Sequence, residues 1–359
     1  MLSSLMALPT CWEELKKTKK PVVMYGMGNA ADRIIEILNS LGIEISEFFA
    51  SDAFVRGHSF HGKRVKKLSE IEAEYDDFVI VVAFAVQDTP TMDAIYSLNE
   101  RYELYAPDLP VAGGPLFDRE FFAEHIKEFE AVYSKLADDR SKEIFIELLR
   151  YKLTGRIDML KATEDDRAEI LKTMLPLGDN ESFVDLGAYN GDTVKEFIDA
   201  CGGNFSAIYA MEPDAKNFKK MQKRLNESGF ENDSRIHLFN LAAWNEKTTL
   251  HFAAKAGRNS TVTSSGRETP ADSVDNALAG AKASYLKLDV EGSEKEALIG
   301  AQNTIKADHP RILLSAYHKS ADLFLLPQII DGICDGYKFY LRRFPYIPAW
   351  EINFICIHE

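Results

Sequence analysis

Short apolar runs alternate with amphipathic segments near the N-terminus. The stretch "PVVMYGMGNAADRIIEILNSLG" predicts a strand, a glycine turn and an amphipathic helix, and "EISEFFASD" and "FVIVVAF" predict two further strands. Strands that alternate with helices favour a parallel sheet. The alternation fades in the Pro/Gly-rich stretch "APDLPVAGGPLFD", which is typical of a boundary. We therefore predict a small α/β domain over residues 1–115.

The pattern changes between residues 119 and 172. The segments "EFFAEHIKEFEAVYSKLADD" and "RSKEIFIELLRYKL" carry apolar residues at three- and four-residue spacing, with no strand pattern between them. This spacing predicts helices with one apolar face. We assign residues 116–175 to a helical connector that packs on one or both of its neighbours.

Alternation resumes at Ser182 and continues to the C-terminus. Only the loop "RRFPYIPAWE" separates the last two predicted strands, which indicates an antiparallel pair at the edge. Residues 176–359 should therefore form a doubly wound α/β sheet that ends in an antiparallel hairpin. The predicted strands are Phe183–Leu186, Ile208–Met211, Ile236–Asn240, Tyr285–Leu288, Ile312–Ala316, Phe339–Leu341 and Ile352–Ile357.

Composition excludes several classes of protein. The longest apolar run, "FVIVVAFAV", has the length of a strand, so we expect no membrane span. The N-terminus has no basic leader, which argues against a signal peptide. The net charge of −14 argues against a nucleic-acid partner. Four scattered cysteines argue against a disulfide framework or zinc site and favour a reducing, cytoplasmic location; they are Cys11, Cys201, Cys334 and Cys356.

The stretch "ESFVDLGAYNGDTVKEF" is a candidate ligand-binding turn. Ligands of such sheets bind at the carboxyl ends of the strands, and Asp185 is predicted to end the first strand. Gly187 and Gly191 would let the backbone approach a ligand closely. A helix starting near Thr193 would direct free N–H groups at that ligand. The Asp185 carboxylate would repel a pyrophosphate but attract the ammonium of an amino acid.

The next strand ends in "AMEPD", which places Glu212 27 residues after Asp185. An acid at this place usually accepts hydrogen bonds from both ribose hydroxyls. The stretch "NLAAWNE" after the third strand could offer backbone groups to an adenine. These features fit a nucleoside with an amino-acid tail, such as S-adenosylmethionine, better than a dinucleotide.

Further candidate residues follow the fourth and fifth strands. Asp289 and Glu291 lie in "YLKLDVEGSEKEAL", and His318 lies in "ILLSAYHK". Asp289 or His318 could act as a general base. Alternatively, Asp289 and Glu291 could be helix N-terminal acids, and His318 could be a surface or core residue. Residues 256–270 form either an exposed loop or a flap that brings Arg258, Asn259 and Ser260 near the cofactor. No cluster with the spacing of metal ligands is evident, so we expect no metal.

The motifs "FVDLGAYNGDT", "MEPD", "NLAAWNEKTTLHF" and "LKLDVEGSEKEALIGAQNTI" resemble those of the FkbM family of S-adenosylmethionine-dependent methyltransferases. The resemblance covers Ser182 to Glu359. It implies a class I methyltransferase-type fold, and methylation of hydroxyls, often on sugars or secondary metabolites. The catalytic candidates, Asp289, His318 and Glu291, come from their places at the strand ends and not from the resemblance. The cofactor-binding residues that it implies are Asp185, Gly187, Ala188, Gly191, Glu212, Ala242 and Ala243, with Thr193 as an adjacent candidate.

The first domain has a glycine pattern of its own. In "YGMGNAAD", Gly26, Gly28 and Ala31 have the spacing of a dinucleotide fingerprint, and Asp52 follows the next strand. The stretch looks like the Rossmann-type domain found beside sugar-modifying enzymes, some of which bind a nucleotide sugar there. It could equally be a docking or packing module.

Three functions therefore compete. The first is an O-methyltransferase that acts on a small-molecule or glycan hydroxyl. The second is a nucleotide-sugar-binding or scaffold protein with a non-catalytic methyltransferase-like half. The third is an NAD-dependent oxidoreductase that uses the first domain. Acids at the strand ends of the second half favour the first function over the third.

Overall fold

A computed structural model describes residues 2–252, 262–263 and 266–359. The N-terminal sheet has the strand order β3-β4-β2-β1-β5-β6, in which β3 and β4 are antiparallel and the other pairs are parallel. The strands are β1 (Val22–Tyr25), β2 (Glu47–Phe49), β3 (Ser59–Phe60), β4 (Lys63–Lys66), β5 (Val79–Val82) and β6 (Glu103–Tyr105). The helices are α1 (Cys11–Lys17), α2 (Asn29–Ser40), α3 (Leu68–Glu74) and α4 (Thr89–Arg101), with 3₁₀ turns at Leu2–Ala7 and Asp52–Phe54.

The apolar runs of this half form its central strands. Every residue of β1 and β5 is buried, because helices cover both faces of a parallel sheet. Val22 pairs with Val79, and Val23 pairs with Glu47 on the other side. Apolar and polar residues therefore do not alternate in β1 and β5, because both strands are central in the sheet.

Residues 119–174 are helical and contact both sheets. Tyr151 donates its hydroxyl to the Ala106 carbonyl at 2.6 Å, just beyond β6. On the other side, the Ser141 hydroxyl oxygen accepts the Leu341 N–H at 2.9 Å. The helices are α5 (Arg119–Glu124), α6 (Ile126–Lys135), α7 (Asp139–Thr154), α8 (Asp158–Ala162) and α9 (Arg167–Met174).

The C-terminal half follows the predicted α/β order. Its strands are β7 (Ser182–Leu186), β8 (Ala207–Met211), β9 (Ile236–Phe239), β10 (Ala242–Ala243), β11 (Thr248–Phe252), β12 (Val262–Thr263), β13 (Arg267–Asp272), β14 (Tyr285–Leu288), β15 (Arg311–Ser315), β16 (Tyr337–Arg343) and β17 (Ile352–His358). The helices are α10 (Asp192–Ala200), α11 (Ala215–Glu227), α12 (Val274–Leu278), α13 (Glu294–Gly300), α14 (Gln302–Asp308) and α15 (Asp322–Ile333).

The main sheet of this half has the order β16-β17-β15-β14-β7-β8-β9. The five strands β15, β14, β7, β8 and β9 are parallel to one another, while β17 is antiparallel to both β15 and β16. The predicted doubly wound sheet with its antiparallel hairpin is therefore confirmed. The chain runs outward through β8 and β9 and returns at β14, so β7 and β14 flank the switch point, where Leu186 pairs with Leu288.

A second, small sheet was not predicted. It has the order β10-β13-β11-β12, and it includes residues 262–263 and 267–272 of the stretch that we expected to be a loop or flap. In β13, Thr269 and Ala271 are buried between exposed neighbours, but these short side chains give little hydrophobic signal. Arg258, Asn259 and Ser260 lie outside the described residues. Among the helices that the structure describes, none has the length and apolarity needed to cross a membrane.

Candidate functional site

A cavity of about 800 Å³ opens at the carboxyl ends of the central strands of the C-terminal sheet. Gly187 after β7, Glu212 after β8 and Asp289 after β14 all line it. This is the place where open α/β sheets bind their ligands. Among the described lining residues, acids outnumber bases: the acids are Asp192, Glu196, Glu212, Asp214, Asp289, Glu291 and Glu351, and the bases are Arg167, Lys216, Arg267 and Lys287.

The glycine turn after β7 fits tightly against its neighbours. Gly187 has a φ of +78°, and a Cβ there would lie 1.9 Å from the Asp289 carbonyl oxygen. Gly191 has a φ of +77°, and its Cβ would lie 2.8 Å from Met221. Both positions therefore require glycine for backbone conformation and for packing. The close approach holds the turn against the segment that carries Asp289.

Asp185 lies beneath this turn and not in the cavity wall. Its side chain is fully buried, accepts a hydrogen bond from the Thr193 hydroxyl, and has Oδ1 3.1 Å from Lys287 Nζ. Lys287 also donates to the Gly187 carbonyl at 3.1 Å. Burial raises the pKa of Asp185 although Lys287 and Thr193 oppose that shift. The carboxylate thus holds the turn through Lys287, and its expected direct contact with a ligand ammonium stays a prediction.

Glu212 lies in the cavity wall, as the spacing predicted. Its Oε2 accepts the Tyr189 N–H at 2.9 Å, and its Oε1 accepts the Asp214 N–H at 2.8 Å. These bonds fix the carboxylate and leave each oxygen a further lone pair. Burial raises its pKa to about 7, and the nearby charges of Asp214 and Asp185 add to this shift.

The other residues implied as cofactor ligands fall into two groups. Gly187, Thr193, Ala242 and Ala243 line the cavity. Ala188 and Gly191 are buried and lie outside the described lining. Those two residues can shape the turn, and their part in cofactor binding stays a prediction.

Asp289 and Glu291 line the cavity, and Asp289 accepts the Tyr317 hydroxyl at 3.2 Å. His318 is fully buried and is not part of the described lining. Burial alone would lower the pKa of His318, but the Glu294 carboxylate, with Asp289 and Glu291, raises it well above its usual value. The imidazole is enclosed by these carboxylates and has no exposed surface. The expectation that His318 is a base stays a prediction.

The family comparison decides the class of this site. Residues 185–333 match the family model described as Methyltransferase FkbM domain. Residues 185–333 therefore carry an FkbM methyltransferase domain. A search of curated proteins finds no match to the chain.

The first of the following solved structures has the same fold as this chain, and the other two are weaker matches. The methyltransferase FkbM from Methylobacillus flagellatus KT matches with a TM-score of 0.75 and 20% identity, over 99% of this chain and 96% of that one. An rRNA methylase from Streptococcus thermophilus matches with a TM-score of 0.36 and 13% identity, over 53% of this chain and 92% of that chain. Aeropyrum pernix fibrillarin, solved with bound S-adenosyl-L-methionine, matches with a TM-score of 0.33 and 13% identity, over 53% of this chain and 72% of that chain.

Residues from outside the FkbM domain also reach the cavity. Gln87, which precedes α4, and Arg167, at the start of α9, both line it. The Val86 N–H donates to the Ile347 carbonyl at 2.8 Å, and the Ile347 N–H donates back at 2.9 Å. This pair of bonds fixes Gln87 beside the loop between β16 and β17. Sequence reasoning missed these residues, because no local pattern signals a contact between such distant segments.

The first domain uses its fingerprint glycine for packing. A Cβ on Gly26 would lie 2.6 Å from the Phe84 ring, and Tyr25 makes an edge contact with the same ring at 4.8 Å. Asp52 lines a separate cavity of about 260 Å³, together with Tyr25. Aromatic packing thus explains Gly26 without a ligand, whereas Gly28 has no atom within 4 Å of its Cβ position. The expected nucleotide or nucleotide sugar in this domain stays a prediction.

Proposed function

We propose that the protein is an S-adenosylmethionine-dependent methyltransferase that methylates a hydroxyl of a carbohydrate or glycoconjugate. The observation that carries the proposal is the placement of Glu212 and the glycine turn in one acid-rich cavity at the switch point of the FkbM domain. When bound, S-adenosylmethionine supplies a methyl group on a sulfonium. A cytoplasmic location remains part of the proposal.

The described residues fit this donor. Glu212 is held by two backbone N–H groups, so its remaining lone pairs are oriented for ribose hydroxyls. The acidic lining favours a cationic ligand over an anionic dinucleotide. The residues that would hold the donor are Gly187, Thr193, Glu212, Ala242 and Ala243, with Asp185 supporting the turn from below.

The rest of the cavity suits a polyhydroxyl acceptor. Asp289 can accept a hydrogen bond from the hydroxyl that is to be methylated. The Tyr317 hydroxyl restrains the orientation of the Asp289 carboxylate. A sugar hydroxyl is a weak nucleophile, so a side chain within hydrogen-bond reach that can accept its proton assists the reaction. Gln87, Arg167 and Asn353 add polar side chains to the same cavity. Their main effect would be to orient the hydroxyl and to hold it close to the transferred group.

Calorimetry with S-adenosylhomocysteine tests the donor site. Glu212→Ala removes two charge-assisted hydrogen bonds, each worth roughly 1.5–3 kcal/mol, so affinity should fall at least about tenfold. Glu227→Ala, at an exposed glutamate of α11 outside the lining, is the matched control and should bind as the wild type does. An unchanged affinity in a folded Glu212→Ala variant would contradict the placement of the donor. A screen of sugars with labelled donor then tests the acceptor class.

A further inference from the structure

Asp289, Glu291, Glu294 and His318 form a group that we call the acid–histidine cluster. Asp289 and Glu291 follow β14, and His318 follows β15, so the cluster lies at the carboxyl ends of two adjacent strands. Asp289 and Glu291 also line the cavity, whereas His318 and Glu294 are buried. The cluster thus connects a buried imidazole to the cavity through two carboxylates.

One side of the imidazole is held by Glu294. His318 Nδ1 lies 2.9 Å from Glu294 Oε1. That oxygen also accepts the Val290 N–H at 3.0 Å and the Gly292 N–H at 3.3 Å. The ring orientation is therefore set by a carboxylate that is itself fixed by the backbone. A carboxylate behind a histidine is the usual support of a metal-binding imidazole.

The other ring nitrogen points at the two carboxylates of the cavity wall. His318 Nε2 lies 3.5 Å from Asp289 Oδ1 and 3.5 Å from Glu291 Oε2. Among the described residues, neither ring nitrogen has a hydrogen-bond partner, and 3.5 Å is long for a hydrogen bond. Two adjacent ligand atoms on an ion with bonds of about 2.1 Å lie about 3.0 Å apart in octahedral and about 3.4 Å apart in tetrahedral geometry. The two distances from His318 Nε2 to the carboxylate oxygens therefore fit neighbouring ligand atoms around a metal ion better than they fit two hydrogen bonds.

We propose that His318 Nε2, Asp289 and Glu291 bind a divalent first-row transition metal ion at the edge of the cavity. One imidazole and two carboxylates form a donor set that suits ions such as Mn²⁺. His318 Nε2 is 3.5 Å from a carboxylate oxygen of each acid, so small side-chain movements close the site. The open coordination positions would face the cavity, where an acceptor oxygen can bind.

The scattered ligands explain why the sequence pattern did not indicate a metal. His318 is 29 residues from Asp289, and only the pairing of β14 with β15 brings the two together. This inference does not require a bound donor, so its test is independent of the donor site.

Electron paramagnetic resonance of free Mn²⁺ tests the site in the full chain after treatment with a chelator. The wild type should remove free Mn²⁺ from solution with one ion per chain. Asp289→Asn and His318→Ala should weaken binding at least about tenfold, and Glu294→Gln should weaken it about 10–100-fold by releasing the imidazole. Asp289 is partly exposed, so its variant should fold even if His318→Ala does not.

A second group of potential ligands supplies the control. His309, Cys334 and His358 also lie within 4.8 Å of one another, so His358→Ala should leave Mn²⁺ binding unchanged. The inference is wrong if the wild type takes up no Mn²⁺ at about 1 mM, the weak end of specific affinity, or if folded Asp289→Asn binds it equally well. Wild-type protein that binds S-adenosylhomocysteine but no Mn²⁺ would overturn this site and leave the donor site intact.

Discussion

At the scale of single residues, the buried pair of Asp185 and Lys287 controls the glycine turn. Lys287 interrupts the apolar strand "YLKL", in which every residue is buried. Its ammonium lies 3.1 Å from both the Asp185 carboxylate and the Gly187 carbonyl. A lysine in a buried strand was the available sequence signal for this pair, although the signal does not identify the partner. The turn therefore depends on a charge that local sequence motifs do not reveal.

We predict that Lys287→Met destabilises the protein. Removing one partner of a buried ion pair leaves an uncompensated charge, which costs about 3–5 kcal/mol. The free energy of unfolding from urea titration measures this loss. The double variant Asp185→Asn/Lys287→Met is the control, because it removes both charges and should recover much of the stability. Equal losses in the single and double variants would show that the charge of Asp185 is not the cause.

Glu212 predicts a pH dependence of donor binding. Its pKa is raised to about 7, and the ionised form is the better acceptor for ribose hydroxyls. Protonation should therefore weaken S-adenosylhomocysteine binding as the pH falls from 8 to 6, by up to about tenfold. Calorimetry at both pH values measures the effect, and Glu212→Gln should remove most of it. A wild-type affinity that stays constant across this range would contradict the role of Glu212.

At the scale of elements, the predictable features were those with a local cause. Buried strands such as β1 and β5 are continuous apolar runs in the sequence, and the hairpin was predicted from the short loop between its strands. Strand β13 was missed because its buried residues are Thr269 and Ala271, and its partners β10 and β11 determine its pairing. The same limit applies to the site. The glycine turn and Glu212 follow from local spacing, whereas Gln87 and Arg167 reach the cavity through tertiary contacts.

The glycine turn gives a prediction with a matched control. Gly187→Ala places a Cβ 1.9 Å from the Asp289 carbonyl oxygen at a φ of +78°, whereas Gly202→Ala has a φ of +58° and no atom within 4 Å. Gly202→Ala should cost only about 1–2 kcal/mol for its backbone conformation. Gly187→Ala should cost clearly more in urea unfolding and should also abolish S-adenosylhomocysteine binding. Similar effects of the two variants would mean that the turn relaxes without consequence.

At the scale of the whole molecule, the connector completes the FkbM domain. Arg343 of β16 is fully buried and donates to the Leu160 carbonyl at 2.9 Å, in the connector. Its neighbour Arg342 donates to the Ser141 hydroxyl oxygen, also at 2.9 Å. The N-terminal half contributes as well, since the Ala112 N–H donates to the His318 carbonyl at 2.9 Å. The boundary near residue 175 marks the start of the main sheet, but we propose that it does not mark an independent folding unit.

This proposal predicts the behaviour of two fragments. A fragment of residues 176–359 leaves both arginines without their connector partners and exposes the apolar faces that α6 and α7 cover, so it should aggregate or lack a cooperative transition. A fragment of residues 119–359 keeps those partners and should unfold cooperatively, at a lower midpoint than the full chain because it lacks the Ala112 and Val86 contacts. Thermal unfolding followed by circular dichroism, with light scattering for aggregation, separates these outcomes. If the 176–359 fragment unfolds cooperatively at the midpoint of the 119–359 fragment, the connector adds nothing to stability, and the two arginines find other partners within the sheet.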